Sequence, residues 1–132
     1  MSGTIHFHHD EQNDIVIATP HWKIATEADV LAWFAQYERY MKRYAHKMDF
    51  IFVLDDFDVL PSIGAKWGEY RAKVHQQFTR FNYRVHSKRD VKLFVNTSGV
   101  RYNVSTSEAA SVEDAIQGIL DARRAAQSGS PG

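Results

Sequence analysis

The stretch that decides the fold runs from Asp49 to Phe81 and reads DFIFVLDDFDVLPSIGAKWGEYRAKVHQQFTRF. Its first part, Phe50–Leu54, is a continuous apolar run, which is typical of a central strand that is covered on both faces. A sharp turn follows at Pro61, and a long amphipathic helix begins after Ser62. The predicted buried stripe of this helix consists of Ile63, Trp67, Tyr70, Val74 and Phe78. The stretch therefore predicts a strand–turn–helix unit.

Upstream of this unit, the sequence predicts a β-hairpin and a first helix. Thr4–His9 alternates apolar and polar side chains, and Ile15–Thr19 is a second strand. We expect Pro20 to end that strand, because proline cannot donate a hydrogen bond to a strand ladder. A hydroxyl at Thr26 with an acid three residues later is typical of a helix start. The apolar face that follows predicts a helix to about His46.

Downstream, the sequence predicts a further strand and a third helix. Asp90–Asn96 is the next strand, Val100–Val104 is a short strand or an extended loop, and Ser111 begins a capping pattern for the last helix. We predict one α/β domain over residues 1–126 and a flexible tail over residues 127–132. The sheet is a single layer, mixed and mostly parallel, with an N-terminal β-hairpin and about three helices.

The composition excludes several classes of chemistry. The 132 residues include no cysteine, so disulfides, zinc–thiolate sites and cysteine nucleophiles are excluded. The 16 basic and 16 acidic side chains cancel, which removes the general electrostatic argument for binding nucleic acid. The chain begins without a signal-peptide pattern, and no apolar run approaches the roughly 20 residues of a membrane helix. We therefore expect a cytoplasmic protein without a membrane span.

The histidines near the N-terminus do not form a metal-binding pattern. On a strand, His6 and His8 share one face while His9 points the other way, so no three-ligand set emerges. The other histidines are scattered singly along the chain. We expect no metal, no cofactor and no catalytic residue.

Polar residues follow two of the predicted strands at their carboxyl ends. Asp55 and Asp56 come directly after the buried strand, and Asn96, Ser98 and Arg101 come at and after the later one. Open α/β sheets bind their ligands at this edge, so these residues are an alternative ligand pocket. The ordinary alternative is a solvated loop and a turn, because aspartate, asparagine and serine all suit such positions.

The segment Phe50–Tyr70 resembles the centre of a STAS domain, the fold of bacterial anti-sigma-factor antagonists. Those domains carry an apolar strand that ends in an aspartate, a short link, and then Asp-Ser-Ser-Gly or Asp-Ser-Thr-Gly at the start of a helix. In this chain the aspartate is Asp55 and residues 61–64 read PSIG. Ser62 falls on the position that the partner kinase of the family phosphorylates, and Gly64 matches the glycine.

The motif also departs from the STAS pattern. Pro61 replaces the aspartate before the phosphorylated serine, and Ile63 replaces the second hydroxyl residue. The chain thus resembles a divergent STAS-like protein, of the kind found as short uncharacterised bacterial proteins.

The resemblance implies a non-enzymatic protein-interaction module in bacterial signalling, with Ser62 as the phosphorylated switch. Apart from the resemblance, the position of Ser62 at the helix start predicts an N-cap, and both roles can apply together. The implied partner is a kinase or an anti-sigma-like protein. Besides Ser62, the residues implicated are the loop residues Asp55, Asp56 and Gly64 and the docking residues Lys66, Glu69 and Lys73.

Two other functions stay open at the level of sequence. One is an α/β domain that binds a small apolar or acyl ligand, or acts as an enzyme, at the carboxyl ends of its strands. The other is a structural unit that associates with itself through the edge of its hairpin. The partner, the pathway and the oligomeric state are not determined by the sequence.

Overall fold

The structure, a computed structural model, describes residues 3–85 and 107–128. Within them, strands and helices alternate as the sequence predicts, and a short 3-10 turn precedes the second helix. The elements are β1 (Thr4–Asp10), β2 (Ile15–Ile24), α1 (Glu27–Met41), β3 (Met48–Val53), β4 (Phe57–Val59), the 3-10 turn (Pro61–Ile63), α2 (Gly64–Phe78), β5 (Thr79–Val85), β6 (Ser107–Ala109) and α3 (Val112–Ser128). The predicted α/β fold class, with its N-terminal hairpin and three helices, is confirmed.

The described strands form one mostly parallel sheet in the order β1-β2-β3-β5-β6, and the short β4 pairs with β2. β1 and β2 form the antiparallel hairpin, while the remaining pairs are parallel. α1 and α2 each connect neighbouring parallel strands and lie on the same face, as right-handed crossovers require. α3 packs on the opposite face. No helix among the described residues has the length and apolarity that crossing a membrane requires.

β3 is the central strand and contributes to the cores on both faces. Phe50 and Phe52 belong to the core that the sheet forms with α1 and α2, whereas Ile51 belongs to the core under α3. Phe50 and Ile51 have no exposed surface. The prediction that the apolar run marks a strand covered on both faces is therefore confirmed.

A buried ion pair joins β3 to α3. Asp49 is 4% exposed, and its carboxylate accepts hydrogen bonds from Arg123 Nε at 2.7 Å and from the Phe81 backbone N–H at 3.0 Å. Arg123 also donates to the backbone carbonyls of Asn13 and Asp14 in the hairpin turn. This arginine therefore holds the hairpin, β3 and α3 together.

The prediction that Pro20 ends the second strand is wrong, because β2 continues to Ile24. Pro20 lies opposite Ile5, whose N–H donates to the Gln36 side chain at 2.9 Å instead of to β2. The nitrogen of Pro20 therefore points away from β1. On the opposite edge of β2, pairing with β3 ends at Ala18 and pairing with β4 begins at Trp22. Pro20 lies between these two paired segments, so its missing N–H interrupts no hydrogen bonding between strands.

The first helix begins as predicted but ends earlier. Thr26 caps it in a capping box with Asp29, whereas its last residue is Met41 and not His46. After Met41 the chain forms a tighter turn, in which the N–H of Tyr44 bonds to the carbonyl of Met41, three residues back, instead of four as in an α-helix. Tyr44 still reaches α1 through a 2.8 Å hydrogen bond between its hydroxyl and that of Tyr40. Tyr44 therefore packs on α1 from the turn that follows the helix.

Three strands, of which two are short, were not predicted, and two predicted strands lie outside the described residues. β4 forms directly after Asp55 and Asp56, where we expected a loop. It forms there because residues 57–59 pair with residues 22–24, the part of β2 beyond Pro20. β5 follows α2 without any intervening turn residue, and it pairs with β3. β6 pairs with β5 at the far edge of the described sheet. Asp90–Asn96 and Val100–Val104 fall in the part of the chain that the structure does not describe.

The third helix confirms the capping pattern at Ser111, whose hydroxyl accepts from the Asp114 N–H at 3.1 Å. Gly118 allows this helix to approach β5 closely, because a side chain there would meet the ring of Tyr83. The helix continues to Ser128, so it includes the first two residues of the predicted tail.

Candidate functional site

Ser62 is exposed, in the middle of the 3-10 turn that precedes α2. It is not the cap of that helix, so the prediction of an N-cap at Ser62 is wrong. The residue before α2 is Ile63, and no side chain makes a capping hydrogen bond to either the turn or the helix. The 3-10 turn provides a hydrogen-bond acceptor for one backbone N–H at the start of the helix, because the Gly64 N–H bonds to the carbonyl of Pro61.

The predicted docking residues lie on one side of α2. Lys66, Glu69 and Lys73 follow each other at steps of three and four residues, and Ser62 precedes them in the 3-10 turn, four residues before Lys66. We call these four residues the Ser62 stripe. Lys66 Nζ lies 3.9 Å from a carboxylate oxygen of Glu27 at the start of α1. The ammonium group of Lys73 lies 4.3 Å from the centre of the Tyr70 ring, and Glu69 is exposed.

The predicted loop residues lie between β3 and the helix start. Asp55 and Asp56 are both exposed at the carboxyl end of β3, and a side-chain oxygen of Asp56 is 2.8 Å from His21 Nδ1. Gly64 is buried and is the first residue of α2. Its backbone has ordinary right-handed helical angles, so the position does not need glycine for its conformation.

The alternative pocket cannot be assembled from the described residues. Asn96, Ser98 and Arg101 all lie outside them, so their predicted convergence with Asp55 and Asp56 stays a prediction. The described residues contain no group of three or more potential metal ligands.

A different cavity, of about 30 Å³, lies between the sheet and the two crossover helices. It is near the carboxyl ends of β3 and β5, which is the edge where open α/β sheets bind ligands. Most of its wall is apolar, with the five aromatic rings of Trp33, Tyr37, Phe52, Phe57 and Trp67. Its polar lining consists of Arg71, His75 and Arg84, and no described carboxylate lines it.

The two arginines of this cavity are buried. Arg71 is 4% exposed and Arg84 is 8% exposed. The guanidinium carbon of Arg71 lies 5.7 Å from the centre of the Trp67 ring, and Arg84 Nη2 lies 3.8 Å from a carboxylate oxygen of Glu108. Burial, and secondarily the charge of Arg84, lower the pKa of Arg71 to about 10. Burial also lowers the pKa of Arg84, although Glu108 opposes that shift.

His75 completes the polar lining as a neutral group. Burial, followed by the positive charges of Arg71 and Arg84, lowers the pKa of His75 to about 3. Two ring nitrogens in the cavity wall, His75 Nδ1 and Trp33 Nε1, are buried without a hydrogen-bond partner among the described residues. Unsatisfied buried polar atoms of this kind are uncommon and call for an explanation.

Sequence reasoning missed this cavity, although a signal was available. Arg71 and His75 follow Trp67 at steps of four, so they lie on the same side of α2 as Trp67 and Val74. The predicted stripe used only the apolar residues of this face. Arg84 lies on β5, which was not predicted, so its position beside α2 follows only from the tertiary structure.

Comparisons with known proteins identify the fold. The chain matches no protein-family model and no curated protein. Its structure is similar to the crystal structure of an uncharacterized protein from the DUF3478 family with a SpoIIAA-like fold, from Shewanella loihica PV-4. The similarity covers 88% of this chain and 92% of the other, with a TM-score of 0.61 and 9% sequence identity. The predicted resemblance to a STAS-like domain is thereby confirmed at the level of fold: this chain has a SpoIIAA-like fold.

Proposed function

We propose that this chain is a non-enzymatic interaction module in cytoplasmic bacterial signalling, and that it docks a regulatory protein on the Ser62 stripe. One observation carries the proposal. Lys66, Glu69 and Lys73, which were selected from sequence alone, lie on one side of α2, in a chain with a SpoIIAA-like fold. Ser62 lies in the turn just before this helix. Such folds suggest a regulatory or interaction module.

Phosphorylation of Ser62 would reverse the charge of this surface. Lys66 and Lys73 carry two positive charges and Glu69 one negative charge, so the unmodified stripe has a net charge of +1. A phosphate adds about −2 at neutral pH, which would change the net charge of the stripe to about −1. An acidic partner that binds the unmodified stripe would then be repelled.

The phosphate would also find a counter-charge nearby. Lys66 is one helical turn from Ser62, and its present contact with Glu27 is long, at 3.9 Å between exposed groups. Exposed ion pairs of this kind contribute only about 0–1 kcal/mol. A phosphate on Ser62 could therefore compete for Lys66 and change how the start of α2 is presented to a partner.

The first experiment measures phosphate occupancy at Ser62. The tagged chain is purified from its own host under several growth conditions and analysed by mass spectrometry. We expect a phosphorylated fraction in at least one condition. An unmodified serine in every condition would contradict the switch, although docking on the stripe could still be tested separately.

The second experiment tests docking with a site-specific photo-crosslinker. The crosslinker replaces Glu69 on the stripe and, as a matched control, Gln117 on α3 at the opposite face of the sheet. We expect one defined protein to crosslink from position 69 and not from position 117. Ser62→Asp should reduce this product, whereas Ser62→Ala should preserve it. Equal crosslinking from both positions would contradict a specific docking surface.

A further inference from the structure

We propose that a groove between the carboxyl ends of α1 and α2 binds an acidic peptide segment of a protein partner. One apolar side chain of that segment lies on the floor of the groove, and its carboxylates lie at Lys42 and Lys47 on the rim. None of the four residues of the Ser62 stripe lines this groove. The proposal therefore does not depend on docking at the stripe.

The lining of the groove divides into an apolar floor and a polar rim. The floor consists of Met41, which is buried, and of Tyr44 and Phe78, which are half-buried. The polar side chains of the rim are all exposed and are those of Glu38, Lys42, His46, Lys47 and Gln77. Protein–protein interfaces commonly combine an apolar centre with a solvent-accessible polar rim. The groove has a volume of about 490 Å³, within the usual range of ligand sites, so it has room for a bulky side chain and the adjacent backbone.

The end of α1 and the turn after it carry an excess of positive charge. Residues 38–47 include one acidic side chain, Glu38, and four basic ones, Arg39, Lys42, Arg43 and Lys47, and all five are exposed. Four positive charges against one negative charge give this segment a net charge of +3. Within the described residues, none of the five forms an ion pair. A partner segment with several carboxylates is complementary to this surface.

The helix dipole accounts for only part of this charge. Cations are favourable at the carboxyl end of a helix, which explains Arg39 in the last turn of α1 and Lys42 at its C-cap. Lys47 lies outside α1, directly before β3, and also lines the groove. Two cations from different segments of the chain therefore converge on one groove.

The rim favours a peptide over a nucleic acid. Glu38 lies on it, and its carboxylate would repel the closely spaced phosphates of a nucleic acid backbone. A peptide carries its carboxylates on separate side chains, so it can place them at Lys42 and Lys47 and avoid Glu38. Gln77 adds an exposed amide, which both donates and accepts hydrogen bonds, as a peptide backbone does.

Local contacts hold the floor and the rim in place before a peptide binds. The hydroxyls of Tyr44 and Tyr40 are 2.8 Å apart, and their hydrogen bond fixes the Tyr44 ring on the floor. His46 Nδ1 donates to the backbone carbonyl of Lys47 at 2.8 Å, so Nε2 of the neutral ring is left to accept from a peptide N–H. A site that is ordered in advance loses less conformational entropy on binding.

The probe for the test is a fluorescein-labelled peptide, DEDFEDE, which carries one phenylalanine between acidic residues. Its binding to the full chain is measured by fluorescence anisotropy near neutral pH, and we expect a dissociation constant on the order of 0.1 mM. Two control peptides separate the contributions: DEDSEDE lacks the apolar anchor and NQNFQNQ lacks the charges, so each should bind at least about tenfold more weakly. Raising the salt concentration from about 0.05 M to about 0.5 M should weaken binding of DEDFEDE by about fivefold or more, because exposed charges are screened.

NMR signals of the ¹⁵N-labelled chain show where the peptide binds. We expect DEDFEDE to shift the backbone amide signals of Lys42, Lys47 and Gln77, which line the groove, and to leave those of Ser62 and Lys66 unchanged. Shifts at Ser62 and Lys66 alone would place the peptide on the stripe and contradict binding in the groove.

Charge reversal at the rim tests the two lysines. Lys42→Glu and Lys47→Glu should each weaken binding of DEDFEDE by about tenfold, since each replaces an attraction with a repulsion. Both lysines are exposed, so thermal unfolding should show that the variants remain folded. Lys23→Glu makes the same change at an exposed position on β2, outside the groove, and should bind as the unaltered chain does.

Several further results would overturn the proposal. They are the absence of binding by DEDFEDE, equal binding of that peptide and of either control peptide, unchanged binding in both lysine variants, and tighter binding of a single-stranded DNA of equal length than of the peptide.

Discussion

The two faces of the sheet bury charge in opposite ways. On the α3 face, Asp49 and Arg123 form a matched pair, with a 2.7 Å hydrogen bond between them and backbone partners for both. On the α1/α2 face, Arg71 and Arg84 line one cavity, and a carboxylate oxygen of Glu108 lies 3.8 Å from Arg84 Nη2. The guanidinium groups on the two faces therefore belong to different kinds of site.

This difference separates an ion pair that links three elements of the fold from two arginines that lie together in a cavity wall. A matched pair is complete within the chain, and its partners connect the hairpin, β3 and α3. Three measurements test the contrast.

The largest effect is expected for Asp49→Ala. This change should cost about 2–3 kcal/mol, because the Phe81 N–H loses its acceptor and the partly exposed Arg123 loses its counter-charge. Urea unfolding should show this loss in the free energy of unfolding. Asp121→Ala, at an exposed position on α3, should change it by less than about 0.5 kcal/mol. A similarly small loss for Asp49→Ala would remove the distinction between the two faces.

The second effect is the pH dependence that His75 gives to the free energy of unfolding. Its pKa is lowered from 6.5 to about 3 in the folded chain, so the unfolded chain binds this proton first as the pH falls. Folding stability from this group is therefore present above pH 6.5 and is lost progressively below it. The loss is about 1.5 kcal/mol between pH 6.5 and about pH 5.

Urea unfolding of the unaltered chain and of His75→Phe at these two pH values measures that contribution. The difference in stability between the two proteins should change by the stated amount, since titrations common to both cancel. A pH-independent difference would mean that His75 has the same pKa in the folded and the unfolded chain, which would contradict its burial as a neutral group.

The smallest effects concern the starts of the two helices on the cavity face. Thr26→Ala should destabilise the protein by about 1 kcal/mol, because the hydroxyl of Thr26 accepts from the Asp29 N–H at 3.2 Å. Ser62→Ala should change stability by less than about 0.5 kcal/mol, since the structure assigns it no capping bond. Equal losses in thermal unfolding would mean that Ser62 does support the helix start.

Local patterns predicted the fold where each element carries its own signal. The apolar run of β3, the alternation of β1 and the hydroxyl caps at Thr26 and Ser111 are all readable from neighbouring residues. The loop motif around Ser62 was sufficient to suggest a STAS-like fold, which the structural comparison confirms. β5 was missed because it follows α2 directly, without the turn residues that mark a boundary.

The stripe and the cavity on α2 show the limit of such patterns. Spacing placed Ser62, Lys66, Glu69 and Lys73 on one side of the helix, since helical periodicity is a local property. The burial of Arg71 and Arg84 is not local. It depends on β5 lying next to β3 and on α1 covering α2, which are contacts between residues distant in sequence. Periodicity assigns a residue to a face, but the chemistry of a site depends on what the tertiary structure places opposite that face.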